Sequence, residues 1–304
     1  MSSQSILSRN RCRAALTAAI AGFVFSLQGL SLSTFACLPQ DTIRSIVADD
    51  FTKHRPAGNA QARRRRSQSD AAAKRRYRLA SPPGKSAAVR FSVSASSQLG
   101  LTVWRLRPRL IADRSAPTRT WTVARVEADT RFREGDYVRL SIECPRAGYL
   151  YVIDRDWFTD EQASETKLIF PIRGEDNRLH AGRVITIPGE DQFPFKASPK
   201  RNQTGELLTI LVTSSPIPLT LSNDPLPISA ARLSEWERLW GAATERFELD
   251  GGAGQARTTT EEQASSSNQT RQLTRDDPAP QTIYLISPIN DDGFLFQVKL
   301  YYTD

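Results

Sequence analysis

The chain is poor in the residues from which most reactive sites are built: three cysteines, two histidines and one methionine in 304 residues. Cys12 falls in the leading stretch, so only Cys37 and Cys144 remain and a scaffold of several disulfides is excluded. His54 stands in a basic stretch and His180 is isolated in NRLHAG. Neither has a Cys or second His at ligand spacing, which argues against zinc. A Ser-His-Asp triad would have to use His180, yet no G-x-S-x-G elbow is present to hold a nucleophile. The glycine run from Gly251 to Gly254 lacks the Lys-Ser or Lys-Thr of a phosphate loop and reads as a flexible helix exit. No cofactor is expected, and no catalytic constellation is found.

Charge is present but unevenly placed. Of the net +8, residues 53–90 carry 12 basic side chains and one acid, whereas residues 91–304 carry 25 basic against 29 acidic and are mildly negative. Residues 1–36 combine Arg9, Arg11 and Arg13 with an apolar run from Ala14 to Leu32 and small residues up to Ala36. This is the pattern of a secretory signal peptide cleaved between Ala36 and Cys37. An uncleaved anchor and a lipidated Cys37 are the other readings of the same stretch. After signal removal no transmembrane helix is expected, and the location would be the periplasm, the cell surface or outside the cell. Residues 37–90 read as a disordered basic arm, with Arg63, Arg64, Arg65, Arg66, Lys74, Arg75, Arg76 and Arg78 set among Ala, Ser, Gln and Pro. Such an arm suits an anionic polymer or lipid surface. Export argues against nucleic acid as its partner.

From residue 91 short strands dominate. Tyr137 to Glu143 alternates Val138, Leu140 and Ile142 with Arg139, Ser141 and Glu143, the period of a half-buried strand. Pro145 to Gly148 then turns the chain into Tyr149 to Ile153, which predicts a hairpin. Cys144 continues the apolar face and reads as a buried thiol. Residues 206–213, ELLTILVT, predict a central strand buried on both faces. Phe294, Phe296, Val298, Leu300 and Tyr302 predict a last strand, reached through the turn signal of residues 290–293. One amphipathic helix is expected over residues 230–247, capped by Ser229 and carrying Leu233, Trp236, Trp240, Ala243 and Phe247 on one stripe. Residues 251–281 are poor in apolar side chains and read as a mobile excursion. Together these predict a mainly β domain over residues 91–304: an antiparallel, immunoglobulin-like sandwich with one docked helix, or a partly open barrel.

The strands GDYVRLSIE and RAGYLYVIDR, followed by LIFP, NRLHAGRVITIP and TGELLTILV, resemble the bacterial domain-of-unknown-function family 4384. Looser likeness extends to LTVWRLRP, EWERLWG, FELDGGAG and DPAPQTIY. The resemblance implies an exported β domain of the cell envelope with no assigned chemistry.

Two groups of side chains are candidates for a site. Asp154, Asp156, Asp160 and Glu161 supply carboxylates after the second strand, although their spacing lacks the glycine and the alternate ligands of a calcium loop. Tyr149 and Tyr151 share one strand face and Leu150 and Val152 the other, so either pair could face the core. If the aliphatic pair faces inward, the tyrosines, with Arg146 and Trp157, would form a recognition patch, unless another layer such as the apolar stripe of the helix covers them as core. The expected function is therefore a non-enzymatic binding or assembly module of the bacterial envelope, meeting an envelope protein or an anionic polymer or lipid. The alternative is an accessory or catalytic domain of a hydrolase or peptidase system.

Overall fold

Two seven-stranded sheets face each other in the computed structural model, which describes residues 40–58, 98–109, 120–159, 164–265 and 272–303. The first sheet runs β12 (Ala243–Glu248), β13 (Thr282–Ser287), β1 (Gln98–Arg109), β4 (Tyr137–Glu143) and β8 (Val184–Ile187). In it, β2 (Thr120–Val126) pairs with β1 and β9 (Phe195–Lys196) with β4. The second runs β11 (Leu226–Pro227), β6 (Thr166–Phe170), β5 (Gly148–Phe158), β10 (Gln203–Thr213), β14 (Gly293–Tyr302) and β3 (Arg131–Phe132), with β7 (Arg178–Leu179) on β5. Among the described strands only β14 and β3 pair in parallel. The protein is a β-sandwich: its two sheets are separate and do not close into a barrel.

The core lies between the sheets. Val138, Leu140 and Ile142 from β4 and Leu99, Leu101 and Val103 from β1 meet three sets from the second sheet. These are Leu150 and Val152 from β5, Leu208, Ile210 and Val212 from β10, and the Phe294 to Tyr302 face of β14. Each fully buried Leu, Ile or Phe contributes about 2–3 kcal/mol. Cys144 is buried and unbridged beside them, and burial pushes its thiol up to about 12.

The hairpin over residues 137–154 is corrected by the sheet order. β4 pairs with β1 and β8, whereas β5 pairs with β10 and β6, so residues 144–147 form an arch from one sheet to the other. The apolar residues of the two strands face each other across the core instead of lying side by side. At the start of β5 a Cβ on Gly148 would come within 2.6 Å of the Thr213 carbonyl oxygen, which explains a glycine there. The turn at residues 288–292 does the same for β13 and β14, and Arg146 of the first arch donates to the Asp291 carbonyl of the second.

On the outer face of the second sheet lies α2 (Ala230–Trp240). Ser229 Oγ accepts the Arg232 N–H, and Leu233 and Trp236 are buried against Tyr151, Ile153, Leu168, Leu211 and Leu295. The helix ends earlier than its predicted limit at 247. At Gly241 the backbone turns extended, Ala242 N–H donates to the Leu295 carbonyl, and residues 243–248 become β12 at the edge of the first sheet.

The outer face of the first sheet holds two further corrections. Residues 40–58, placed in the basic arm by composition, form α1 (Gln40–Lys53) and a following turn, with Val47 and Phe51 buried on Ile283. The excursion is also largely packed. Gly251 and Gly254, both at positive φ, turn the chain after β12 rather than leaving a helix, and Gly254 N–H donates to the Arg125 carbonyl. Then α3 (Thr259–Ser265) and residues 272–281 cover β1, β4 and β8. Packing is close enough that a Cβ on Gly100 would meet Pro280 Cγ at 2.4 Å and Phe51 Cζ at 2.8 Å. The predicted signal peptide with its expected cleavage site at Ala36 and Cys37, and the arginine clusters from Arg63 to Arg78, lie outside the described residues.

Candidate binding cavity

Two places concentrate polar side chains inside the sandwich and its cover. The first lies on the outer face of the first sheet, where the polar half of β4 is buried. Arg55 Nε and Nη2 donate to the two Glu143 carboxylate oxygens at 2.8 and 2.7 Å, and its Nη1 donates to the Asp277 and Pro278 carbonyls at 2.9 and 3.0 Å. Arg125 pairs with Glu261, and Arg139 and Arg257 both donate to Glu190. Trp104 donates from Nε1 to Ser141 Oγ at 2.9 Å, with the Arg125 and Arg257 guanidiniums 5.3 and 5.4 Å from its ring. The space left among them is about 20 Å³, the size of one water. Charges this buried must be paired to be tolerated, and here they bind the cover to the sheet.

The second place is a cavity of about 170 Å³ at one end of the sandwich core. Val138 and Leu140 of β4 and Phe195 and Lys196 of β9 line it from the first sheet. Ile169, Leu208 and Leu300 form apolar wall from the second. Asp154 of β5, Glu206 of β10 and Tyr302 of β14 supply its polar surface. Tyr302 Oη donates to Glu206 Oε1 at 2.5 Å. Burial, then the neighbouring Glu206 charge and a hydrogen bond to Glu206, push Asp154 up to about 9, so it holds its proton at neutral pH. The Tyr302 hydroxyl is likewise held above its ordinary range by burial and Glu206. Asp154 Oδ1 is buried without a hydrogen-bond partner. Such an acceptor is costly unless something meets it.

The predicted site residues are dispersed. Tyr151 is buried under α2 and accepts the Ile217 N–H at its hydroxyl at 2.7 Å. Tyr149 packs at the margin of the same cluster, so both faces of β5 are covered and, of the two readings, the tyrosines are core under the helix and not an exposed patch. Arg146 is engaged between the arches. Trp157 lies half-buried on the outer face, with Lys299 Nζ 4.3 Å from its ring and Tyr301 beside it at 5.9 Å. His180 is half-buried with Nδ1 3.3 Å from the Ala181 carbonyl. Of the four acids, Asp154 faces the cavity, Asp156 is held by Lys200 at 2.5 Å and Gln203 at 2.9 Å, and Asp160 and Glu161 lie outside the described residues. Among the described residues, no group of three or more His, Cys, Asp or Glu is placed to hold a metal.

Sequence reasoning missed Glu206 and Tyr302 as partners of Asp154. The signal was available, because Asp154 continues the Leu150 and Val152 face by two residues and Glu206 precedes Leu208 by two. Both are acids on a core face. Comparison with protein-family profiles, curated proteins and solved structures finds no match to this chain. No helix among the described residues is long and apolar enough to cross a membrane, which leaves strands unaddressed.

Proposed function

We propose that the chain is an exported, non-enzymatic recognition module of the bacterial envelope whose ligand enters the cavity between the sheets. The observation that carries this reading is a gap of about 170 Å³ between the two sheets, with the buried acceptor Asp154 Oδ1 in its wall. The volume admits a ring-sized group and not a segment of polymer, which favours binding over hydrolysis of a chain. Export and envelope location rest on the leading stretch and on the family likeness of the β4–β5 and β10 motifs.

Saturation-transfer NMR of the full chain against a small-fragment mixture tests this. Hits that disappear in Ile169→Trp, which fills the cavity, are expected. Fragments bound equally well by that variant, or turnover in a panel of hydrolase substrates, would count against it. A second reading rests on the contrast in sequence between the basic clusters from Arg63 to Arg78 and the mildly acidic residues 91–304: the arm meets an anionic polymer or lipid. Retention on anionic vesicles should fall with added salt and with deletion of residues 63–78. Unchanged retention would remove the arm from the account.

A further inference from the structure

We infer that the cavity selects a compact apolar group carrying a primary ammonium, which docks on Asp154 and Glu206. This deepens the recognition reading and rests on it. The wall away from the acids is apolar, from Val138, Leu140, Ile169, Leu208 and Leu300. An engineered apolar cavity of about 150 Å³ holds benzene, so 170 Å³ suits a body of that size. The polar end then decides what the body must carry. Tyr302 and the protonated Asp154 both turn their donors to Glu206, and Asp154 Oδ1 meets no donor, so the polar end has an acceptor to spare. A primary ammonium brings three donors and a positive charge to two carboxyls.

The remaining charged groups near Asp154 leave that role open. Asp156 lies on the same strand and is held by Lys200. Lys167 of β6 is opposite Asp154 in register but pairs with Glu165 at 2.9 Å. Lys196 is an exposed rim residue, where water screens it. Burial holds a proton on Asp154 in the empty cavity, so docking a cation releases it: the Asp154 O–H bond breaks, the proton leaves to solvent, and the ammonium takes its place.

Benzylamine, benzyl alcohol of nearly the same shape, and an end-blocked peptide with a single lysine separate the possibilities. Methyl resonances of Leu208 and Leu300 report occupancy, and calorimetry in two buffers of different ionisation enthalpy counts protons. The expected result is saturable benzylamine binding in the millimolar range at pH 7.5 with release of about one proton. Benzyl alcohol should bind roughly tenfold more weakly, and Asp154→Asn or Glu206→Gln should weaken benzylamine by a similar factor. Binding of the lysine peptide at the same resonances supports a partner chain as the source of the ammonium, and binding of benzylamine alone supports a free amine. Benzyl alcohol binding as tightly as benzylamine, with no proton released, would overturn the ammonium assignment and leave the cavity as a recognition site. If none of the three shifts the cavity methyls, the recognition reading fails with it.

Discussion

The two outer faces of the sandwich are covered in opposite ways. Over the second sheet, α2 sets Leu233 and Trp236 on Tyr151, Ile153 and Leu295, an apolar joint. Over the first, part of the cover is apolar, where α1 sits on Ile283, but across β4 it is held by arginine–carboxylate pairs on Glu143, Glu261 and Glu190. The difference teaches that a polar strand face can be as buried as an apolar one. β4 has no exposed residue, although every second side chain in it from Arg139 to Glu143 is polar or charged.

The contrast can be broken first at its charged side. Glu143→Ala leaves the Arg55 guanidinium, whose side chain is 1% exposed, without its carboxylate, and should cost about 3–5 kcal/mol in denaturant unfolding. Replacing both partners, as in Arg55→Met with Glu143→Leu, should recover most of that loss, because a buried pair is little better than apolar packing. No recovery would mean that Arg55 acts mainly through the Asp277 and Pro278 carbonyls. On the apolar side, Leu233→Ala should cost about 2–4 kcal/mol, with no rescue by any charged partner.

The core end responds to pH. Asp154 has a folded pKa raised above its unfolded value, so the folded chain binds more protons between about pH 4 and pH 9 and its stability falls as pH rises through that window. Glu248, raised by burial, has the same sign. Asp176, held down to about 2 by Arg178, acts in the opposite direction and matters only in acid. Thermal unfolding from pH 5 to pH 8 should therefore show a decline of up to about 1.4 kcal/mol per pH unit from Asp154, and Asp154→Asn should flatten it. An equal slope in the variant would show that the proton sits elsewhere. The smallest effect belongs to the exposed Arg246–Asp129 pair, whose two bonds of 2.7 and 2.6 Å should contribute less than about 1 kcal/mol and fade with salt.

What was legible in the sequence follows the same division. β4, β5, the buried central strand β10, the inward face of β14 and the docking of α2 come from apolar periodicity and the structure has them, whereas β12 reads in sequence as the end of that helix. Residues 40–58 and 272–281 bury few apolar side chains and dock through Arg55, Glu143 and backbone carbonyls, so composition reads them as arm and excursion. Strand pairing failed for another reason. A turn such as Pro145 to Gly148 satisfies either a hairpin or an arch, and only the other partners of β4 and β5 decide between them. At the cavity, Asp154 was singled out for its carboxylate. Its setting beside Glu206 and Tyr302 depends on β10 and β14, which are distant in the chain.

The two arches also bear on how the chain reaches this state. Because β4 and β5, like β13 and β14, share no ladder, much of the sheet pairing joins strands far apart in sequence, as with β1 and β13 or β3 and β14. Neither sheet is complete before its late strands arrive, since β13 sits inside the first and β14 inside the second. Folding should therefore be slow, in the range of milliseconds to seconds or longer, and an incomplete chain should stay open with its apolar strands unsatisfied.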